Sequence, residues 1–264
     1  MPMTAHEIRT TEGWVPNDAT NRIFGRVDQS AFVMDVDWEK EIQRFAPLPE
    51  IPNYVRSSIH GLEGGYGAPF SAATWDAVVK EIFTEYIGDE QEYRESLAGL
   101  VTSAPGTVLD VACGTGESTL AWHRRFPEAD IIGVDVSPYM LVVAERKTRE
   151  FDNVAVRCAN AEQLPFEDDS FDAVTASLLF HELPADVSPR VLAEMHRVVR
   201  PGGQIAVVEP YRVGAPVLKP IPFPEPYLRD FLQTDWDEAF RNAGFTDVKV
   251  VEHENGWMRT ARAD

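Results

Sequence analysis

The residues best suited to chemistry begin with the run Asp110-Val111-Ala112-Cys113-Gly114-Thr115-Gly116. An apolar, strand-like stretch precedes it and a helical stretch follows. Gly114 and Gly116 permit a sharp turn and let a ligand approach bare backbone. A strand, a glycine loop and a helix start together make a nucleotide-site geometry. The dinucleotide version of this loop carries a third glycine, where this chain has Thr119. The phosphate-cradling Gly-x-x-x-x-Gly-Lys pattern is also missing. Asp110 would repel a pyrophosphate and attract an ammonium group. Asp135 closes the next strand, 25 residues after Asp110. An acidic residue near this spacing in doubly wound folds accepts both hydroxyls of a ribose. A ligand with a ribose, a cationic amino acid tail and no phosphate fits these residues. S-adenosylmethionine is such a ligand. The same loop disfavours a nicotinamide cofactor.

These residues need a scaffold that brings successive strand ends together. From Thr107 onward, short apolar runs alternate with helical patterns. Strands are expected at Val108–Val111, Asp130–Val136, Val154–Arg157, Phe171–Ser177, Gln204–Glu209, Asp247–Glu252 and Gly256–Ala261. Helices are expected at Ser118–Phe126, Pro138–Arg149, Ser188–Val199 and Asp235–Ala243, the last stopped by Gly244. This alternation predicts an α/β fold: a Rossmann-like, doubly wound and mostly parallel sheet. The last two strands lack an intervening helix, so the final strand is expected antiparallel, at or near the edge. Residues 1–103 read differently, as a mainly helical and irregular N-terminal cap, with 104–264 as the catalytic domain. Helical patterns cover Ser71–Tyr86 and Glu90–Thr102, and a glycine-rich loop covers His60–Gly67.

Five segments resemble the ordered motifs of class I S-adenosylmethionine-dependent methyltransferases. Val108–Glu117 is similar to the first, and Gly133-Val134-Asp135-Val136-Ser137-Pro138-Tyr139-Met140-Leu141 to the second. Ala159–Phe166 is similar to the third, and Phe171-Asp172-Ala173-Val174 to the fourth. Leu192–Gly203 resembles the helix and turn before the fifth strand. The likeness is greatest to the small-molecule branch that includes ubiquinone- and menaquinone-type enzymes, and it spans roughly residues 104–261. It implies methyl transfer with S-adenosylmethionine as cofactor. Asp110 and the backbone of Gly114–Gly116 would hold the aminocarboxypropyl end, with Ala112 and Ser177 beside it. Asp135 would hold the ribose, and Val136 and Met140 would pack on the adenine. Asn160, where the family usually has an acid, would accept from the adenine amino group, with Ala161 and Glu162 flanking the ring edge.

Methyl transfer asks mainly for in-line positioning, with a base where the acceptor must lose a proton. The acceptor is expected beyond the strand ends. His181 is the first candidate for general base or positioning, with Glu182, Glu209 and His60 as alternatives. Tyr66, Trp75 and Tyr211 are expected on the substrate side. The aromatic residues of the cap suit a planar or apolar small molecule. The Pro-rich stretch Pro216–Pro226 is a second candidate wall. Two further readings stay open at this stage: cyclisation or aminocarboxypropyl transfer with the same cofactor, and a non-catalytic module that has kept the fold.

Composition narrows the partners. The chain carries a formal net charge of −19 across 264 residues, which repels phosphate backbones and argues against nucleic acid. No stretch is apolar enough for a membrane span, and Met1–Trp14 lacks the apolar core of a secretory signal. Cys113 and Cys158 read as reduced thiols of a cytoplasmic protein. No metal-ligand cluster is legible. A homodimer exchanging the N-terminal segment stays open.

Overall fold

The computed structural model describes residues 36–56, 64–210, 225–253 and 256–263. The N-terminal region contributes α1 (Trp38–Ile42), α2 (Asn53–Arg56), α3 (Pro69–Ile82) and α4 (Glu90–Gly99). α3 runs into a π-helical turn at Phe83–Ile87, and Asp89 caps α4 by accepting the Glu92 N–H. From Thr107 the chain then alternates. β1 (Thr107–Val111) leads to α5 (Glu117–Arg125), β2 (Asp130–Asp135) to α6 (Pro138–Thr148), and β3 (Val154–Cys158) directly to β4 (Phe171–Ser177). Next come α7 (Ser188–Val198), β5 (Val199–Glu209), α8 (Leu228–Gln233), α9 (Trp236–Asn242), β6 (Phe245–His253) and β7 (Gly256–Ala263).

The seven strands form one sheet in the order β3-β2-β1-β4-β5-β7-β6. β3, β2, β1, β4 and β5 pair in parallel. β7 runs antiparallel to both β5 and β6, so it lies one strand in from the edge and β6 forms the edge itself. This is the expected Rossmann-like α/β sheet with its last strand reversed. The strand order also reverses at β1, between β2 and β4. In open α/β sheets a ligand crevice opens at such a switch point.

Strand alternation builds both faces of the core. Leu109, Val174, Ile205 and Val207 enter one buried cluster with Val191, Leu192 and Met195 of α7 and Phe240 of α9. Their neighbours Val108, Ala173, Ala206 and Val208 enter another, with Leu97 of α4 and Trp122 of α5. Apolar residues fill both faces because helices cover both. The N-terminal helices are tied to this sheet by polar links. Asp76 of α3 accepts from the Thr115 hydroxyl at 2.5 Å and pairs with Lys147 of α6 at 2.6 Å. The Ser137 hydroxyl donates to the Tyr66 carbonyl at 2.6 Å. Among the described residues no helix is long and apolar enough to cross a membrane.

Candidate functional site

A cavity opens at the carboxyl ends of β1, β2 and β4, at the switch point. Its floor is the glycine loop. Gly114 has φ +54, and a Cβ there would point into open space within the cavity rather than into protein. Gly116 has φ +89 and packs against Ala144 of α6, where a Cβ would stand 3.1 Å from the Ala144 methyl. The two glycines thus serve different needs: one leaves room for a ligand, the other for a helix. Ala112 and Leu178, at the ends of β1 and β4, also have left-handed backbones and line the cavity. Such conformations cost a non-glycine residue about 1–2 kcal/mol and cluster where a site dictates backbone direction.

Asp135 ends β2 inside the cavity. Its oxygens accept from the Gly114 N–H at 2.9 Å and the Ser137 N–H at 2.8 Å. Burial pushes its carboxyl up to about 6, against the hold of those N–H groups. Val136, Met140, Ala161 and Asn160 line the wall beside it, and Ser177 the end of β4. The Asn160 side-chain oxygen accepts from the Glu162 N–H at 2.9 Å, which turns the chain around the cavity's edge. Three expected cofactor residues stand just outside the lining. Gly116 lies beneath the loop. Asp110 is wholly buried under it, with one oxygen accepting from Ser118 and Thr119 hydroxyls, each at 2.7 Å. Glu162 directs its carboxylate to the Tyr54 hydroxyl at 2.7 Å and to Arg190 at 2.8 Å.

Residues not singled out from sequence complete the wall. Arg94 of α4 reaches the cavity from the N-terminal region, 8% exposed. It pairs with Glu90 at 2.8 Å and donates to the Ser177 hydroxyl at 3.3 Å. Among the described lining residues it is the one cation. Glu117, at the first turn of α5, lines the same end and pairs with Lys147 at 2.7 Å. Tyr54 lines the opposite side.

The acceptor-side candidates converge. Glu182 faces the cavity, with Tyr66 donating to it at 2.8 Å. His181 lies behind, its Nε2 3.6 Å from Glu182 and its Nδ1 2.5 Å from Glu209. Glu209 is fully buried, and its other oxygen accepts the N–H groups of Leu179 at 3.1 Å and Phe180 at 2.7 Å. Burial alone would lower the His181 value. The charge and hydrogen bond of Glu209, with Glu182 and Glu225 nearby, outweigh it and raise the ring to about 9. Burial and the charge of Glu182 push the Tyr66 phenol well up, so it remains a donor. His181, Glu182 and Glu225 offer ligand atoms within 4.8 Å of one another, a cluster not assembled from sequence. Tyr66 and Trp75 meet edge to face at 5.0 Å above the cavity. His60, Tyr211 and most of the Pro216–Pro226 stretch lie outside the described residues. Cys113 and Cys158 are free and buried, and burial pushes both thiols upward.

The cavity is therefore complementary to an adenosine joined to a zwitterion. It has the Asp135 carboxylate, small and apolar residues beside it, and the opposite charges of Arg94 and Glu117 at the other end. The family profile described as a methyltransferase domain matches residues 108–203. A demethylmenaquinone methyltransferase of Listeria welshimeri is 31% identical over 197 residues, covering 64% of this chain and 83% of that protein. The chain belongs to the class I S-adenosylmethionine-dependent methyltransferases. It is accordingly an enzyme that uses S-adenosylmethionine. Solved structures agree on the fold. Human N-acetylserotonin methyltransferase in complex with S-adenosylmethionine superposes with a TM-score of 0.61 at 15% identity, covering 93% of this chain and 70% of that one. The [4+2]-cyclase SpnF matches with a TM-score of 0.50 at 23% identity, covering 66% of this chain and 81% of that one. S-adenosylmethionine supplies an electrophilic methyl group on a sulfonium sulfur. The residues of this methyltransferase do the rest: bind, orient, exclude water and hold protons.

Proposed function

We propose that this methyltransferase alkylates a heteroatom of a small, largely apolar acceptor held between Glu182 and the rings of Tyr66 and Trp75. The observation that carries this reading is the placement of Glu182. Its carboxylate faces the cofactor cavity, with one oxygen accepting from the Tyr66 hydroxyl at 2.8 Å and lying 3.6 Å from His181, which Glu209 holds. A carboxylate so placed can orient an acceptor and take its proton. His181 acts through Glu182 as a positioning residue. On the cofactor side, Asp135 accepts the ribose hydroxyls, while Val136, Met140, Asn160 and Ala161 surround the adenine. Arg94 takes the carboxylate and Glu117 the ammonium of the amino acid end. Asp110 holds the loop in shape through Ser118 and Thr119. Residues 1–103 are read as the cap that encloses the acceptor and 104–264 as the catalytic domain, a reading supported by Tyr66 and Trp75 of the N-terminal part in the cavity lining.

Paired variants test this assignment. Glu182→Gln should leave S-adenosylhomocysteine affinity within about twofold by calorimetry, yet slow methyl transfer by about 10²–10⁴-fold. Arg94→Gln should do the reverse, weakening cofactor binding about tenfold or more through loss of a charge-assisted contact. Turnover undiminished in Glu182→Gln would remove that residue from the acceptor site.

A further inference from the structure

The acceptor side of the cavity has an electrostatic bias that narrows the class of molecule it receives. Glu182 faces the cavity, and His181 behind it contacts Glu182 and Glu209, with Glu225 within 4.8 Å. Three carboxylates thus surround one imidazole, and the cluster stays formally anionic even with the ring protonated. Tyr66 and Trp75 give the same cavity an aromatic wall beside this cluster. Aromatic rings and carboxylates together favour a cation. An anionic acceptor would find no partner here. Arg94, the one cation among the described lining residues, lies at the Ser177 end and is already paired with Glu90. The chain's net charge of −19 repels anions at long range as well.

Resting on the acceptor-site reading above, we infer that the acceptor is an amine, cationic in solution, and that the enzyme is an N-methyltransferase for a small aryl- or alkylamine. The chemistry balances. The ammonium gives one proton to the Glu182 carboxylate, which frees the nitrogen lone pair. That lone pair forms the new N–C bond as the C–S bond breaks, and the C–S electron pair remains on sulfur as a neutral thioether. Positive charge moves from sulfur to nitrogen, and Glu182 later releases its proton to solvent. A carboxylate beside the nitrogen stabilises the charge that develops there. A hydroxyl or an acidic carbon, by contrast, ends as a neutral product and carries no lasting positive charge for three carboxylates to hold.

Calorimetry on the full chain loaded with S-adenosylhomocysteine tests this, using phenethylamine, phenethyl alcohol and phenylacetate as matched probes. The ammonium should bind at least about tenfold more tightly than the alcohol, and phenylacetate not at all. Glu182→Gln should erase that preference and leave S-adenosylhomocysteine affinity intact. Equal binding of the probes, preference for the alcohol or acid, or no detectable binding of the amine overturns the inference. A second readout uses methyl-labelled S-adenosylmethionine with a metabolite extract. Label in an N-methyl product supports the inference, and label in an O- or C-methyl product overturns it. The site reading survives that second result if Glu182→Gln still abolishes labelling, and fails if labelling persists in the variant.

Discussion

Replacing Glu209 by glutamine is the sharpest probe of the buried polar core behind the acceptor site. Gln keeps an oxygen for the Leu179 and Phe180 N–H groups, which Glu209 now accepts at 3.1 and 2.7 Å. Its amide nitrogen then faces His181 Nδ1, where Glu209 now holds the ring at 2.5 Å. A donor in that place requires Nδ1 to accept, so the ring becomes neutral with its proton on Nε2. The wild-type ring rises from 6.5 to about 9 despite its burial, chiefly through Glu209. At about 1.4 kcal/mol per pH unit, that preference for the charged ring is worth about 3 kcal/mol. Removing one partner of a buried pair costs about 3–5 kcal/mol, which agrees. Because the folded value lies above the unfolded one, this stability is fully present below pH 6.5 and is lost as pH climbs through about 9. Denaturant unfolding between pH 6 and 10, on the order of one scan per half unit, should show wild-type stability falling over this window. Glu209→Gln should be less stable by about 3 kcal/mol at the acid end and give a flatter curve. The two curves should converge on the alkaline side. Equal slopes for the two proteins, or an NMR titration placing His181 below 6.5 in the wild type, would refute the reasoning.

Three further outcomes are expected. If Asp135 accepts the ribose hydroxyls as proposed, cofactor affinity should fall as pH drops below about 6, where its carboxylate takes a proton; calorimetry with S-adenosylhomocysteine across that range checks it, and Asp135→Asn should bind weakly with no such pH dependence. Gly116→Ala places a side chain at φ +89 and 3.1 Å from Ala144, which should cost about 1–2 kcal/mol and lower Tm by about 2–4 °C per kcal/mol. Tyr66→Phe removes the hydroxyl that donates to Glu182 but keeps the carbonyl that Ser137 uses. It should lower kcat by about 10–100-fold, as expected for a hydrogen bond to a charged group worth about 1.5–3 kcal/mol; S-adenosylhomocysteine affinity should not change.

Much of the cofactor side was legible in the chain because its signals are local. A glycine pair after a strand, and an acid at the end of the next, sit within one β-α-β unit. Their placement follows from backbone rules that act over a few residues. Gly114, Asp135, Val136, Met140 and Asn160 accordingly reach the cavity as read. Asp110 shows the limit. Its position at the strand end was legible, but Ser118 and Thr119 turn its carboxylate under the loop, and a hydroxyl's partner is not written in spacing. Arg94 carried no signal either. It sits in the acidic run Glu90-Gln91-Glu92-Tyr93-Arg94-Glu95, which reads as an exposed face. Only the docking of α4 on the sheet buries it beside Ser177. Short helices such as α1 and α8 also escaped, since five or six residues give too few turns for a period to show.

By itself, the sequence determined the sheet, its reversed last strand and the glycine loop at the switch point, since hydrophobic period and glycine placement are properties of neighbours along the chain. Tertiary structure decided the acceptor side. Tyr66, His181, Glu182, Glu209 and Glu225 are separated by up to 159 positions, yet the three carboxylates meet around the His181 imidazole and Tyr66 joins them through Glu182. Charges that far apart become one electrostatic unit only when folding removes the water between them, and that removal gives the carboxylates their hold on the ring.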